Sequence, residues 1–176
     1  GKFSGLVRLD DALTQSLNVP FVHLIKRFGV EGFVGHLRYI GLQWINPKPE
    51  FYGLSAALGT IPMTLLELTE LYAGLAQDGT VHSLRIFGDE KLDEGIRFLT
   101  PESSWMIRQV LKQRDRPDFP VRARLYGLEP NIHWKTGTSF GFRDAWSIGS
   151  NDRYTVAVWL GNLNREASRY LVGAPL

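Results

Sequence analysis

The sequence predicts an α+β fold, with a three-layer α/β/α tendency, on three observations. Apolar residues recur at helical spacing through the first two thirds of the chain. They alternate with period two through the last third, and a turn signal at Ser150-Asn151-Asp152-Arg153 joins two of the alternating runs. Helices packed on an antiparallel meander are the arrangement that buries both kinds of apolar face. At 176 residues with 44% apolar and 12% aromatic content, the chain holds enough material for one sizeable core.

Taken in order, Asp10 is placed to cap a short helix through Ala12, Leu13 and Gln15, which ends at Ser16-Leu17-Asn18, where turn formers interrupt the apolar pattern. The next helix starts at Val19 or Pro20. It turns inward either Val22, Ile25 and Phe28 or Phe21 and Leu24, and it stops at Gly29. Phe33, Val34, Leu37 and Ile40 then repeat at helical spacing up to Gly41, which predicts a helical hairpin. Pro47 and Pro49 make residues 46–49 a loop, and the small apolar run Gly53 to Thr60 invites close packing by another element. Thr64 and Glu67 form a capping box for the longest helix, with Leu65, Leu68, Tyr72 and Leu75 on one face and Asp78-Gly79 at its end. Glu67 and Glu70 are read as helix charges, not as an acid and base pair, because Glu67 is already occupied by the cap.

Between Val81 and Phe98 the pattern is short and mixed, with Leu84, Ile86, Ile96 and Phe98 as candidate strand residues. Thr100-Pro101 opens a helix that turns Met106, Ile107, Val110 and Leu111 inward. Residues 113–130, including the arginine-rich stretch from Arg114 to Arg124, read as a solvated loop. Strands follow at Asn131 to Thr138, Arg143 to Gly149 and Tyr154 to Leu160. The last is apolar on both sides and is expected to be central or covered by a helix.

Composition narrows the function classes. Twenty basic and 18 acidic residues leave a formal charge of +2, and no tail concentrates it, so nothing in the charge pattern indicates nucleic acid or an anionic membrane. The absence of cysteine removes disulfides and thiolate metal sites, and His23, His36, His82 and His133 form no zinc signature, so no metal or other cofactor is expected. Pro62, Glu67 and Glu70 interrupt the most apolar run, Ala56 to Ala76, before it reaches the length of a membrane span. Because it begins at Gly1 without a methionine or a leader-like segment, the chain is expected to be cut from something longer.

The chemistry concentrates in His133-Trp134-Lys135-Thr136-Gly137-Thr138-Ser139. A cation, alternating hydroxyls and a glycine on one strand can hold a carboxylate beside an exposed backbone edge, where an extended peptide can add to the sheet. The amide of Thr138 is a candidate oxyanion donor. A triad of Ser139, His133 and Asp144 is conceivable, but no G-x-S-x-G elbow accompanies it, and Asp144 reads instead as a strand-start residue or a partner of Arg143.

Ser16-Leu17-Asn18 followed by Lys135-Thr136-Gly137-Thr138 resembles the second and third elements of the set S-x-x-K, S-D-N and K-T-G, which serine β-lactamases and penicillin-binding proteins share. The likeness extends over Ala12 to Pro20, Ala57-Leu58-Gly59-Thr60 with Leu66-Glu67-Leu68, Tyr72-Ala73, Asp78-Gly79, and Asp144-Ala145-Trp146 through Trp159-Leu160-Gly161. Together these resemble the transpeptidase domain of class A penicillin-binding proteins, and Lys135 to Asp144 resembles the penicillin-binding protein 1C type.

That resemblance implies a serine acyl-enzyme that cross-links peptidoglycan stem peptides. Ser16 would relay a proton to the leaving amine, Asn18 would hold the substrate amide and the nucleophile's lysine, and Lys135 would tune Ser16. Thr136, Gly137, Thr138 and Ser139 would bind the substrate's terminal carboxylate and backbone. It also implies D-Ala-D-Ala peptides and β-lactams as ligands, an extracytoplasmic (periplasmic) location, and a membrane-anchored parent with an N-terminal glycosyltransferase domain. The first element is missing: none of Lys2, Lys26, Lys48, Lys91, Lys112 and Lys135 follows a serine by three positions. Residues 1–176 are therefore expected to be a partial transpeptidase domain, incomplete on its N-terminal side and inactive alone, exposing an apolar face that pairs with the missing part or aggregates. The alternatives are a serine β-lactamase or D,D-carboxypeptidase, and a non-catalytic peptidoglycan-peptide binding module.

Overall fold

The computed structural model describes residues 5–42, 44–113, 116, 131–164 and 166–173. Two compact units divide the chain, Gly1–Met63 and Thr64–Leu176.

In the first unit, α1 (Leu9–Thr14) is closed by bonds from Ser16 N–H to Leu13 O and from Leu17 N–H to Ala12 O. Those two bonds, with Ser16 at φ 55° between them, make a Schellman end. Arg8, not Asp10, occupies the N-cap; Asp10 lies in the first turn and accepts from the Arg8 guanidinium at 2.6 and 3.0 Å. Asn18 opens α2 (Asn18–Phe28), one residue earlier than expected. Gly29 at φ 97° separates it from α3 (Val30–Tyr39), a left-handed conformation that glycine adopts without a Cβ clash. The helices pack as the predicted hairpin, with Ile25, Val34, Leu37 and Ile40 buried, whereas Phe28 and Leu24 are exposed. A single turn of 3-10 helix at Pro49–Phe51 is followed by a second 3-10 segment at Gly53–Leu58, and α2 packs on the latter's small residues, with Ala56 buried.

The second unit begins with α4 (Leu65–Ala76), where the capping box forms in full. Glu67 N–H donates to Thr64 Oγ1 at 3.1 Å, and Thr64 N–H donates to the Glu67 carboxylate at 2.7 Å. Glu70 is not left to solvent, because it accepts from Leu84 N–H at 2.8 Å. The mixed stretch yields a two-residue hairpin, β1 (Thr80–Val81) with β2 (Ile96–Arg97), so Leu84, Ile86 and Phe98 lie outside strands. Asp93 holds the intervening loop: its carboxylate accepts from Ser83 N–H and His82, contacts that pull its pKa down to about 2. Helix α5 (Pro101–Leu111) starts on Thr100, whose Oγ1 accepts from Ser103 N–H. Leu111 and Ser104 are buried, but Met106, expected inside, is 60% exposed.

Strands β3 (His133–Thr138), β4 (Asp144–Ser150) and β5 (Thr155–Gly161) form an antiparallel meander in the order β3-β4-β5. Asn151 makes the predicted turn, its Oδ1 accepting from the N–H groups of Arg153 and Tyr154. The register pairs Lys135 with Ile148 and Ile148 with Ala157, which aligns His133, Lys135, Gly137, Trp146, Ile148, Ser150, Thr155, Ala157 and Trp159 on one face. This face receives the helices: α4 packs on β4 and β5, α5 packs on β3, and Ser150 Oγ lies 3.5 Å from Tyr72 O. The opposite face carries Trp134, Thr136, Thr138, Ser147, Gly149, Val156, Val158 and Leu160. Within the second unit no described helix packs on it, and the last three apolar side chains are 60, 45 and 59% exposed. Strand β5 is thus helix-covered on one side only, and β4 is the central strand.

Candidate active site

The motif residues are distributed between the two units. In the first, Ser16 occupies the left-handed position of the α1 terminus and Asn18 is the first residue of α2; both are exposed. A non-glycine residue in that conformation costs roughly 1–2 kcal/mol through the Cβ and carbonyl contact. Glycine would be the economical residue here, and serine supplies a hydroxyl instead.

In the second unit β3 brings Lys135, Thr136, Gly137 and Thr138 together. Lys135 is half-buried, and its Nζ donates to Thr136 O at 2.6 Å. Thr136 and Thr138 share the face away from the helices. Thr136 lines a cavity of about 370 Å³ with Trp134, Ser147, Gly149, Val156 and Val158. The Thr138 hydroxyl accepts from Gly173 N–H at 2.9 Å. Ser139 shapes the following turn: its Oγ accepts from Arg143 N–H at 3.2 Å and Asp144 N–H at 2.8 Å.

The Ser139, His133 and Asp144 triad does not assemble. His133 and Ser139 stand at opposite ends of β3, about 20 Å apart at the strand rise, and Asp144 accepts from Trp159 Nε1 at 3.0 Å. Asp144 thus ties the start of β4 to β5 and forms no ion pair with Arg143 among the described residues.

Two features of this strand escaped the sequence. Arg116, expected in a solvated loop, is buried; it stacks 4.2 Å over the Trp134 ring and donates to Trp134 O at 2.9 Å and Leu111 O at 3.0 Å. The rest of that loop apart from residue 113 lies outside the described residues. No local signal distinguishes Arg116 from its neighbouring arginines. His133 is 2% exposed, and neither ring nitrogen has a hydrogen-bond partner among the described residues.

Burial and the nearby cations Arg108 and Lys112 push the His133 pKa down to about 4, against the weaker opposing pull of Asp152. The ring is therefore neutral in the fold at pH 7, and the sign of its linkage follows. Above pH 6.5 neither state binds the proton; below it the unfolded chain does and the folded chain does not. Stability is expected to fall as pH drops from 6.5 toward 4, and His133→Leu should flatten the melting temperature across that window. Thermal unfolding of the full-length protein followed from pH 7 to 4 measures this.

A three-stranded antiparallel sheet with K-T-G-T on β3 in the second unit, and Ser16 two residues before Asn18 in the first, point to the class of penicillin-recognising proteins. The comparisons narrow it: the family model for the penicillin binding protein transpeptidase domain matches residues 2–174, and the chain belongs to that family. Penicillin-binding protein 1C of Escherichia coli is 35% identical over 159 residues, covering 90% of this chain and 20% of the relative. Penicillin-binding protein 4 of Bacillus subtilis is 27% identical over 180 residues, covering 95% of this chain and 28% of the relative. The chain therefore spans a fifth to somewhat over a quarter of the length of these relatives.

Solved structures agree on the fold. Penicillin-Binding Protein 1A from Haemophilus influenzae superposes with a TM-score of 0.76 at 18% identity, over 98% of this chain and 33% of that one. The D,D-transpeptidase domain of a peptidoglycan glycosyltransferase from Eggerthella lenta gives 0.71 at 18% identity, over 90% of this chain and 49% of that one.

Proposed function

We propose that this chain carries the Ser-x-Asn and Lys-Thr-Gly walls of a D,D-transpeptidase that cross-links peptidoglycan stem peptides, with the Ser-x-x-Lys nucleophile supplied by sequence outside it. The observation that carries the reading is Ser16 at φ 55° in a helix end where glycine would cost less. Strain of this kind persists where a side chain has work to do.

The nucleophile serine attacks the carbonyl of the D-Ala-D-Ala amide, and Ser16 passes the proton to the departing D-Ala amine, leaving an acyl-enzyme ester. Asn18 holds the substrate amide and the nucleophile's lysine, and Lys135 adds a positive field on the strand that receives the carboxylate. Thr136 and Thr138 receive the terminal carboxylate, Gly137 admits the peptide backbone, and Thr138 N–H faces the developing oxyanion. An amine of a second stem peptide then displaces the serine and restores it. β-Lactams follow the first step because their ring amide and carboxylate mimic the dipeptide. Ser139 shapes the end of this groove through its turn. The chemistry is extracytoplasmic, and the parent is anchored to the membrane and carries a glycosyltransferase domain.

Fluorescent penicillin provides the test. The full-length protein is expected to label on a serine preceding Gly1, located by peptide mapping. Label on Ser16, or none at all, overturns the assignment.

A further inference from the structure

Beyond β5 the chain returns to the end of β3. Ser168 N–H donates to Phe142 O at 2.9 Å, Leu171 N–H donates to Ser168 O at 3.0 Å, and Gly173 N–H donates to Thr138 Oγ1 at 2.9 Å. Gly173 is seated tightly over the Gly137–Trp146 rung. A Cβ on it would lie 3.0 Å from the Gly137 carbonyl carbon and 3.0 Å from Trp146 O, and would press hardest on Gly137 O. Backbone atoms of two paired strands cannot yield to that intrusion as a flexible side chain could.

We propose that residues 168–173 form a strap that positions Thr138, with Gly173 as the positioning residue. A threonine hydroxyl has one proton to donate and two lone pairs, and its proton is free to rotate. When Gly173 N–H engages a lone pair, the Thr138 proton turns away from the strap, and the hydroxyl is committed to donating toward an incoming anion. The bond also holds Thr138 in one side-chain rotamer, so the orientation is set before the ligand arrives. Glycine is required because only a residue without Cβ brings its N–H this close to β3. The tie from Ser168 to Phe142 fixes the far end of the strap on the 139–143 turn, so the two anchors lie on either side of Ser139.

This inference rests on the reading of Thr138 as a carboxylate-binding residue, and the experiment separates the two. Acylation of the full-length protein by benzylpenicillin is resolved into its binding and chemical components for Gly173→Ala, Thr138→Val and the double variant. Each single variant is expected to weaken the binding component about tenfold with little change in the chemical step, and the double variant should lose no more than either alone. Thr138→Ser, which keeps the hydroxyl, should restore most of the loss. A loss in Thr138→Val with none in Gly173→Ala overturns the strap and leaves the carboxylate reading intact. Unchanged binding in both singles overturns that reading itself, and additive losses show Gly173 acting through something other than Thr138. Should Gly173→Ala fail to fold, Ser168→Pro deletes the N–H that anchors the strap to Phe142 without touching β3. It is expected to show the same binding loss, and wild-type binding in it overturns the strap.

Discussion

Ser16→Gly in the full-length protein is expected to cut the rate of acylation by penicillin by two to four orders of magnitude while leaving the fold at least as stable. The two effects separate because they come from different parts of the residue. The hydroxyl is the proposed proton relay, and removing a positioned acid-base group costs 10²–10⁴ in rate. The Cβ is what strains the backbone at φ 55°. Removing it relieves roughly 1–2 kcal/mol, of which about half returns as the greater freedom of glycine in the unfolded chain. The backbone contribution by itself is a gain of up to about 1 kcal/mol. Ser16→Ala keeps the Cβ and so should lose activity without that gain. Stopped-flow acylation and thermal unfolding of the two variants decide the matter; wild-type acylation in either removes Ser16 from the mechanism.

Ile148→Ala should destabilise the second unit by about 2–5 kcal/mol, the range for truncating a buried isoleucine whose surroundings cannot collapse. Ile148 is 3% exposed on the central strand, beneath α4 and opposite both Lys135 and Ala157 in the ladder. Its side chain shares a face with that of Lys135, so the cavity opens under the strand that carries K-T-G-T. The expected readout is a lowered unfolding midpoint together with weakened penicillin labelling, since β3 loses its support. Val158→Ala, on the exposed face of β5, is the contrast: it should shift the midpoint far less, and equal shifts would show that the two faces are not distinguished by burial as described.

Much of this fold was legible because its signals are local. The capping box at Thr64 and Glu67, the glycine stop at Gly29 and the Asn151 turn each depend on residues a few positions apart, and each formed as read. Misreadings fell where a side chain outside the pattern decides, at short or long range. Asp10 looked like a cap but is bound by the Arg8 guanidinium. Met106 fits an inward stripe but is 60% exposed, whereas Leu111 on the same stripe is buried as read and Ser104 is buried with it. Leu84 and Ile86 read as strand residues, but the backbone of Leu84 is taken by Glu70 on α4.

The candidate site divides in the same way. From the sequence alone, the ordered pair Ser16-Leu17-Asn18 and Lys135-Thr136-Gly137-Thr138 pointed to the family, because residue type and order are what carry that likeness. Only the tertiary structure decided that Ser16 is held in a left-handed turn, that Arg116 is buried against Trp134, and that Gly173 reaches the Thr138 hydroxyl. The last two join residues 18 and 35 positions apart in the chain. Such contacts leave no periodicity or spacing to read, since they form only when the sheet and the segments crossing it are in place.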